Sequence, residues 1–172
     1  MTVIKDILKE NKRLYRISKI ISDLSHEIGV PAFLVGGCVR DLLLEPEKNS
    51  VDIDIMVEGD GIEFANALGR KLNVSTVVPF PKFATARIPY KECEIEVASA
   101  RLESYDPKSR NPKDIIMTDI NEDLQRRDFT VNAMAISLQK DNMGALIDPF
   151  DGFKDLNAKL LRTPMSYADI TF

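Results

Sequence analysis

The sequence is poor in the residues that many catalytic sites and disulfide frameworks require. Among its 172 residues, Cys38 and Cys93 are the only cysteines and His26 is the only histidine. Two cysteines are typical of free thiols in a reducing compartment, and a chain of this length buries about 70% of its unfolded surface without disulfides. One histidine excludes a multi-histidine zinc site and leaves a Ser-His-Asp triad only with His26 as its base. If the protein is an enzyme, we therefore expect carboxylates and a hard metal ion.

Long apolar runs and a strong charge of one sign are also missing. No apolar run approaches the roughly 20 residues that span a bilayer, and the first residues mix charged and apolar side chains, unlike a secretory signal. We expect a cytoplasmic protein without a membrane partner. The net charge of −4 gives no sign of a dedicated nucleic-acid surface, although local clusters matter more than the sum. The length predicts a single domain over residues 1–172, on a prior of roughly 150 residues per domain.

Apolar periodicity predicts an α/β domain of the α+β type, a mixed twisted sheet flanked by helices. An N-terminal helix is expected over residues 1–28, with a basic outer face that we interpret as solvated. The next predicted elements are a strand over 32–35, a helix over 38–44, a strand over 51–57, a helix over 62–72 with Asp60 as its N-cap, and strands over 83–88, 93–100, 135–138 and 146–147. Residues 103–121 lose periodicity and predict a long surface loop. A helix is expected from Glu122 through residue 128.

The strand over residues 51–57 carries the sharpest chemical feature. Because side chains alternate along a strand, Asp52 and Asp54 project side by side while Ile53 and Ile55 enter the core. Two carboxylates this close repel each other unless a cation lies between them, and oxygen ligands of this kind suit Mg²⁺. An isolated pair of this spacing is more often the solvated face of an edge strand. A third carboxylate could come from Glu94 or Glu96, and spacing alone does not choose between them.

Two other segments could bind phosphate or nucleotide. Gly36 and Gly37 lie between a strand and a helix, where the helix N-terminus can accept an anion, and Arg40 lies one turn further on. Near the other end, Arg126 or Arg127 could contact a phosphate and Asp128 could accept hydrogen bonds from ribose hydroxyls. Either segment alone could be an ordinary turn or helix surface.

Taken together, these segments resemble the DNA polymerase beta-like nucleotidyltransferase superfamily. Residues 35–37 followed by 51–55 resemble its signature, and residues 34–41 and 126–133 resemble its class II branch of CCA-adding tRNA nucleotidyltransferases and bacterial poly(A) polymerases. Residues 57–61 and 147–152 fit that branch too, and residues 105–110 resemble its mobile loop. The match covers residues 30–164 in the right order.

The resemblance implies a function and a site. Asp52, Asp54 and Glu96 would bind catalytic Mg²⁺, and Gly36, Gly37 and Arg40 would hold the triphosphate of ATP or CTP. Arg127 would contact the nucleotide and Asp128 would favour ribose, while Asn132 would support local structure. The reaction would be attack of an RNA 3′-hydroxyl on the α-phosphate, with release of pyrophosphate.

The resemblance departs from the family at the C-terminus, and it leaves the RNA substrate open. The family's helical neck, with a Glu-Asp-x-x-Arg pattern, would begin where this sequence ends, so residues 158–172 are expected to lead into it. Residues 122–126 match that pattern in letters, but they precede the Arg-Arg-Asp segment and are interpreted as coincidence. We expect CCA addition to tRNA, with poly(A) addition to RNA as the alternative. More distant alternatives are a metal-dependent glycosyltransferase that uses Asp52 and Asp54, and a nucleotide-binding module without catalysis.

Overall fold

A computed structural model describes residues 2–48, 52–105 and 112–164. For residues 2, 3, 101–105 and 112–117 it describes the backbone only. Predicted features that fall on residues 106–110, within the expected mobile loop, and on 165–172, in the expected approach to the neck, lie outside these described residues.

The N-terminal segment forms two helices, where one helix over residues 1–28 was expected. Helix α1 spans Thr2–Glu10 and α2 spans Lys12–Ile28. They are divided at Asn11, whose side chain accepts a hydrogen bond from the backbone N–H of Leu14 at 2.9 Å and so caps α2. The apolar periodicity runs through the break, because both helices cover the same hydrophobic core.

The strands form one large mixed sheet and a separate two-stranded sheet. They are β1 (Ala32–Val35), β2 (Asp52–Val57), β3 (Val78–Phe80), β4 (Thr85–Tyr90), β5 (Cys93–Ser99), β6 (Arg101–Tyr105), β7 (Pro112–Met117), β8 (Ala135–Ser137) and β9 (Leu146–Ile147). The large sheet has seven strands in the order β3-β4-β5-β2-β1-β8-β9, and β6 pairs with β7. Strands β2 and β5 are parallel, and the other neighbours in the large sheet are antiparallel. The carboxylate-bearing strand therefore lies in the middle of the sheet.

Helices pack on both faces of this sheet. They are α3 (Gly37–Leu44), α4 (Gly61–Lys71), α5 (Ile120–Gln125) and α6 (Gly152–Ala158). The larger core lies between the sheet and α2, α3 and α4, and it buries Ile53 and Ile55. A smaller core on the opposite face packs Leu124 of α5 against Met56 and Phe33. This smaller core covers only part of its face, so the end of β2 that carries Asp52 and Asp54 is left accessible. Within the part of the chain that the structure describes, no helix is long and apolar enough to cross a membrane.

Where the structure describes the stretch expected to be a surface loop over residues 103–121, it is mostly strand and helix. Strand β6 includes residues 103–105, β7 follows from Pro112, and α5 begins at Ile120 with Asp119 as its N-cap. The expectation failed because prolines and mixed charges obscured the periodicity, although proline is tolerated at the start of an edge strand. Helix α5 is also shorter than expected and ends before Arg126, while β3 and α6 were not predicted at all.

Candidate active site

Four carboxylates lie in two rows on one face of the sheet, which we call the acidic face. In the parallel pairing of β2 and β5, Asp52 lies opposite Glu94 and Asp54 lies opposite Glu96. Paired residues on adjacent strands project to the same face, and the intervening apolar side chains are buried on the other. The structure therefore brings both predicted aspartates together with both candidate third carboxylates. The register sets Glu96 beside the half-buried Asp54 and Glu94 beside the exposed Asp52.

Arg87 neutralises part of this acidic face. It lies on β4 opposite Glu96, and its Nε donates a hydrogen bond to Glu96 Oε2 at 2.8 Å. Its Nη1 lies 3.5 Å from Glu94 Oε1, and its guanidinium stacks 5.3 Å from the centre of the Phe80 ring. The hydrogen bond to Glu96 is the main cause that raises the pKa of Arg87 above its usual value. Sequence reasoning missed this arginine; its outward-facing position on the strand predicted over 83–88 was the available signal.

Asp54 is the carboxylate of the acidic face whose pKa is raised. Its pKa is raised, first by burial, then by the negative charge of Glu96 and by that of Asp52. The positive charge of Arg127 opposes the rise. Bringing a cation to this face would relieve the repulsion, because it favours the charged form of each carboxylate.

The chemistry of the donor set fits a hard divalent cation such as Mg²⁺. Every candidate ligand on the acidic face is a carboxylate oxygen, which Mg²⁺ prefers, and Mg²⁺ commonly takes one or two protein carboxylates with substrate phosphates. Among the side chains that the structure describes, no three acidic, histidine or cysteine groups already form a metal cage. An open site of this kind suits a cation shared with a bound phosphate.

A glycine turn adjoins the acidic face. Gly36 has φ 70° and ψ −138°, a conformation that is essentially restricted to glycine. A Cβ at this position would lie 2.9 Å from Arg127 Nη1 and 3.7 Å from Asp54 Oδ2. Gly36 thus lies between a cation and a carboxylate, and both approach its backbone closely. Gly37 begins α3, and a Cβ there would lie 3.5 Å from Nη2 of Arg40.

Arg127 is held in place by a fully buried carboxylate. Nε and Nη2 of Arg127 donate to Oδ2 of Asp123 at 3.2 and 3.1 Å. The other oxygen of Asp123 accepts from Nε and Nη2 of Arg126, at 3.0 and 2.7 Å. Asp123 is 0% exposed. Sequence reasoning missed its contribution because residues 122–126 were interpreted only as a coincidental likeness to a neck motif.

The remaining predicted residues line a neighbouring cleft of about 420 Å³. Arg40 and Asp128 both border it, together with Asn132 and apolar side chains of which Phe129 is one. Arg40 Nη1 donates to Asn132 Oδ1 at 2.8 Å, and its Nε donates to Asp41 Oδ1 at 2.8 Å. Arg127 and Asp128 are adjacent in sequence, but the first contacts the glycine turn and the second faces this cleft. The predicted site is therefore two adjoining parts with the turn between them.

The segment that contains Arg127 and Asp128 is anchored from behind by α6. The Thr130 hydroxyl donates to Oδ2 of the buried Asp155 at 2.6 Å, and Arg162 Nε donates to the same oxygen at 3.0 Å. The backbone N–H of Thr130 donates to the carbonyl of Arg162 at 2.7 Å. Asp148 accepts from the N–H groups of Gly152 and Phe153, which fixes the start of α6. Residues 147–152, which fit the family resemblance, therefore support the segment that carries Arg127 and Asp128.

The fold and the acidic face define a polymerase beta-like nucleotidyltransferase domain. Residues 32–162 match the family model described as the poly A polymerase head domain. The chain therefore belongs to that family. An A-adding tRNA nucleotidyltransferase from Aquifex aeolicus is 44% identical over 140 residues, which are 80% of this chain and 16% of the relative.

Solved structures agree with this membership. A structure of a CCA-adding enzyme in an apo form superposes with a TM-score of 0.83 at 39% identity, over 94% of this chain and 38% of that chain. A tRNA nucleotidyltransferase complexed with a primer tRNA and an incoming ATP analogue superposes with a TM-score of 0.71 at 41% identity, over 84% of this chain and 39% of that one. The chain thus spans between about one sixth and two fifths of the length of these proteins.

Proposed function

We propose that this chain is the catalytic head of a Mg²⁺-dependent nucleotidyltransferase that adds CMP or AMP from CTP or ATP to the 3′ end of tRNA and releases pyrophosphate. The observation that carries the proposal is the position of Gly36, where a Cβ would lie within 4 Å of both Asp54 and Arg127. It joins a carboxylate pair suited to a metal to a turn and a cation suited to a triphosphate, in a chain whose relatives are named tRNA nucleotidyltransferases. We also propose a cytoplasmic location, supported by two buried free thiols.

The residues of the acidic face would hold the metal. Asp52 and Asp54 project beside one another, and Glu96 becomes available when its bond to Arg87 is exchanged for a bond to the cation. Bound Mg²⁺ would lower the pKa of the attacking 3′-hydroxyl and stabilise negative charge on the leaving pyrophosphate. The carboxylates would contribute by holding the metal ion, because positioning and electrostatic stabilisation make up most of the catalysis in phosphoryl transfer.

The glycine turn and its arginines would bind the nucleotide. The N-terminus of α3 at Gly37 offers backbone N–H groups to phosphate oxygens, and Gly36 lets the triphosphate approach the backbone. Arg127 lies near Gly36 and Arg40 lies near Gly37, and both would neutralise the phosphates. Asp128 faces the adjoining cleft, where its carboxylate could accept hydrogen bonds from the ribose hydroxyls.

Primer extension on defined tRNA ends tests this function and separates its variants. Three tRNA transcripts are incubated with Mg²⁺ and labelled CTP or ATP. The first lacks the CCA end, the second carries its first C, and the third carries both Cs. CCA addition predicts incorporation of CMP into the first two and AMP into the third, whereas an A-adding enzyme labels only the third. Extension of an unrelated RNA by many AMP residues would support the poly(A) alternative. If no RNA is extended and a UDP-sugar displaces ATP, the proposal is wrong and a glycosyltransferase fits better.

A further inference from the structure

We propose that Asp123 is a positioning residue that fixes the guanidinium of Arg127 over the Gly36 turn, so that Nη1 is presented to the phosphates of the nucleotide. This inference rests on the proposed function, because it assigns a use to a cation of that same site. Asp123 itself is buried beneath the arginines and would not touch the nucleotide.

The hydrogen bonds divide the guanidinium of Arg127 into a held side and a presented side. Nε and Nη2 both donate to Asp123 Oδ2, at 3.2 and 3.1 Å. Two bonds from one planar group to one oxygen fix its orientation far better than one bond would. The remaining nitrogen, Nη1, then points away from Asp123 and lies 2.9 Å from the position of a Cβ on Gly36. The nitrogen that is not used by Asp123 is therefore the one at the turn.

The charge of Asp123 is fully committed to this arrangement. It is 0% exposed, and its second oxygen is taken by Arg126, so one buried carboxylate is paired with two guanidinium groups. The three side chains carry a net charge of +1. This excess cation lies beside Asp54, where the positive charge of Arg127 counteracts the rise in the pKa of that carboxyl. Burying a carboxylate costs free energy of desolvation. Orientation of the Arg127 cation is a function that explains why this cost is tolerated.

The backbone of α5 ties Asp123 to the strand that carries the aspartates. The N–H of Ile120, in the first turn of α5, donates to Oε1 of Glu58 at 3.0 Å, directly after the end of β2. Leu124, the next residue along, is fully buried against the sheet. The position of Asp123 therefore depends on that of β2, and the position of Arg127 depends on Asp123.

The test combines nucleotide affinity with a direct view of the Arg127 side chain. ATP binding in Mg²⁺ is measured by calorimetry for wild type, Asp123→Asn, Arg127→Ala and the double variant. The asparagine keeps the shape but offers one acceptor oxygen instead of two, so we expect ATP affinity to fall about tenfold. In the Arg127→Ala background, Asp123→Asn should change affinity by less than about twofold, because the effect passes through Arg127.

Arg126→Ala is the matched control, because it removes the other arginine that Asp123 holds. It should change ATP affinity by less than about threefold, since Nε and Nη2 of Arg126 bond the other oxygen of Asp123 and their loss leaves both bonds of Arg127 in place. Circular dichroism checks that each variant is folded. If Asp123→Asn does not fold, Arg127→Lys is measured instead. Lysine keeps the charge, but it cannot bond Asp123 and reach the turn at the same time, so we expect the same tenfold loss of ATP affinity.

The Nε–H resonance of Arg127 separates failure of this inference from failure of the proposed function. In wild type, with or without ATP, we expect slow exchange of this proton with solvent. In Asp123→Asn we expect faster exchange, whereas the Arg126→Ala control should keep the wild-type pattern. Fast exchange in wild type, or undiminished ATP affinity in a folded Asp123→Asn variant, would overturn the positioning role. Failure of wild type to bind ATP, with the proton still protected, would instead count against the proposed function.

Discussion

Arg87 donates a hydrogen bond to Glu96 across two neighbouring strands, so the carboxylate best placed to assist Asp54 is already paired with a cation. A metal that recruits Glu96 must compete with this arginine. Loss of Arg87 also removes the cation that pairs with both Glu94 and Glu96. The pair therefore sets how strongly the acidic face attracts a divalent ion.

Replacing Arg87 should increase metal affinity. For Arg87→Met we expect Mg²⁺ or Mn²⁺ to bind several-fold more tightly, because the competing hydrogen bond is gone and the local negative charge rises. Stability should change little, since the ion pair is exposed. Arg87→Lys should stay close to wild type. Titration with Mn²⁺ by electron paramagnetic resonance checks this, and weaker binding by Arg87→Met would contradict the assignment of Glu96 to the metal.

Alanine at Gly36 should damage both stability and nucleotide binding. The backbone conformation there is essentially glycine-only, and the new Cβ would lie 2.9 Å from Arg127 Nη1. We expect a loss of about 1–3 kcal/mol in the free energy of unfolding. Gly29→Ala is the matched control, because Gly29 has the same φ of 70° and no atom within 4 Å of its Cβ position. Chemical denaturation and ATP calorimetry should show a stability loss in both variants but weakened ATP binding only in Gly36→Ala.

Ionisation of Asp155 should make part of the folding stability depend on pH in the acid range. The pKa of this carboxyl is lowered from its ordinary 3.8, first by the hydrogen bond from Thr130 and then by the bonds and charge of Arg162. A lowered pKa in the folded state contributes stability that is complete above the ordinary pKa and is lost as the pH falls through the folded value. Melting temperatures of wild type and Asp155→Asn should therefore converge between pH 6 and pH 2.5. A constant difference across that range would contradict this account.

Neither cysteine should react while the protein is folded. Both are buried, and burial is the main cause that raises the pKa of Cys38 to about 12, with the charge of Asp54 adding to it. The thiolate is the reactive form, so almost none is present at pH 8. Iodoacetamide at pH 8 should label neither thiol in buffer and both in urea, as read by mass spectrometry. Rapid labelling of Cys38 in the native protein would show that the turn after β1 opens.

The sequence predicted the site where local rules suffice. Alternation alone predicted that Asp52 and Asp54 share a face of β2, and the glycines predicted the turn before α3. The partner of Glu96 was beyond such rules, because the register of β4 against β5 is a long-range property. Asp123 was hidden for a related reason: a buried acid looks the same in a sequence as an exposed one, and its burial depends on the packing of Leu124 against the sheet.

The break between α1 and α2 and the strands β6 and β7 were missed because the apolar pattern of the sequence does not mark them. Both helices carry a continuous apolar stripe, so only the capping bond made by Asn11 reveals the break. Strands β6 and β7 pair with each other outside the large sheet, and such a two-stranded pairing needs little of the apolar alternation that identifies core strands.

The central claim is that the acidic face binds a metal-bound nucleotide, and calorimetric titration of this chain with ATP tests it most directly. The titration is run with and without Mg²⁺ on wild type and on an Asp52→Ala, Asp54→Ala double variant, with CTP and dATP as comparison ligands. We predict Mg²⁺-dependent binding of ATP and CTP that is tighter than that of dATP and is lost in the double variant. Binding of equal strength in the double variant, or binding that does not depend on Mg²⁺, would contradict the account.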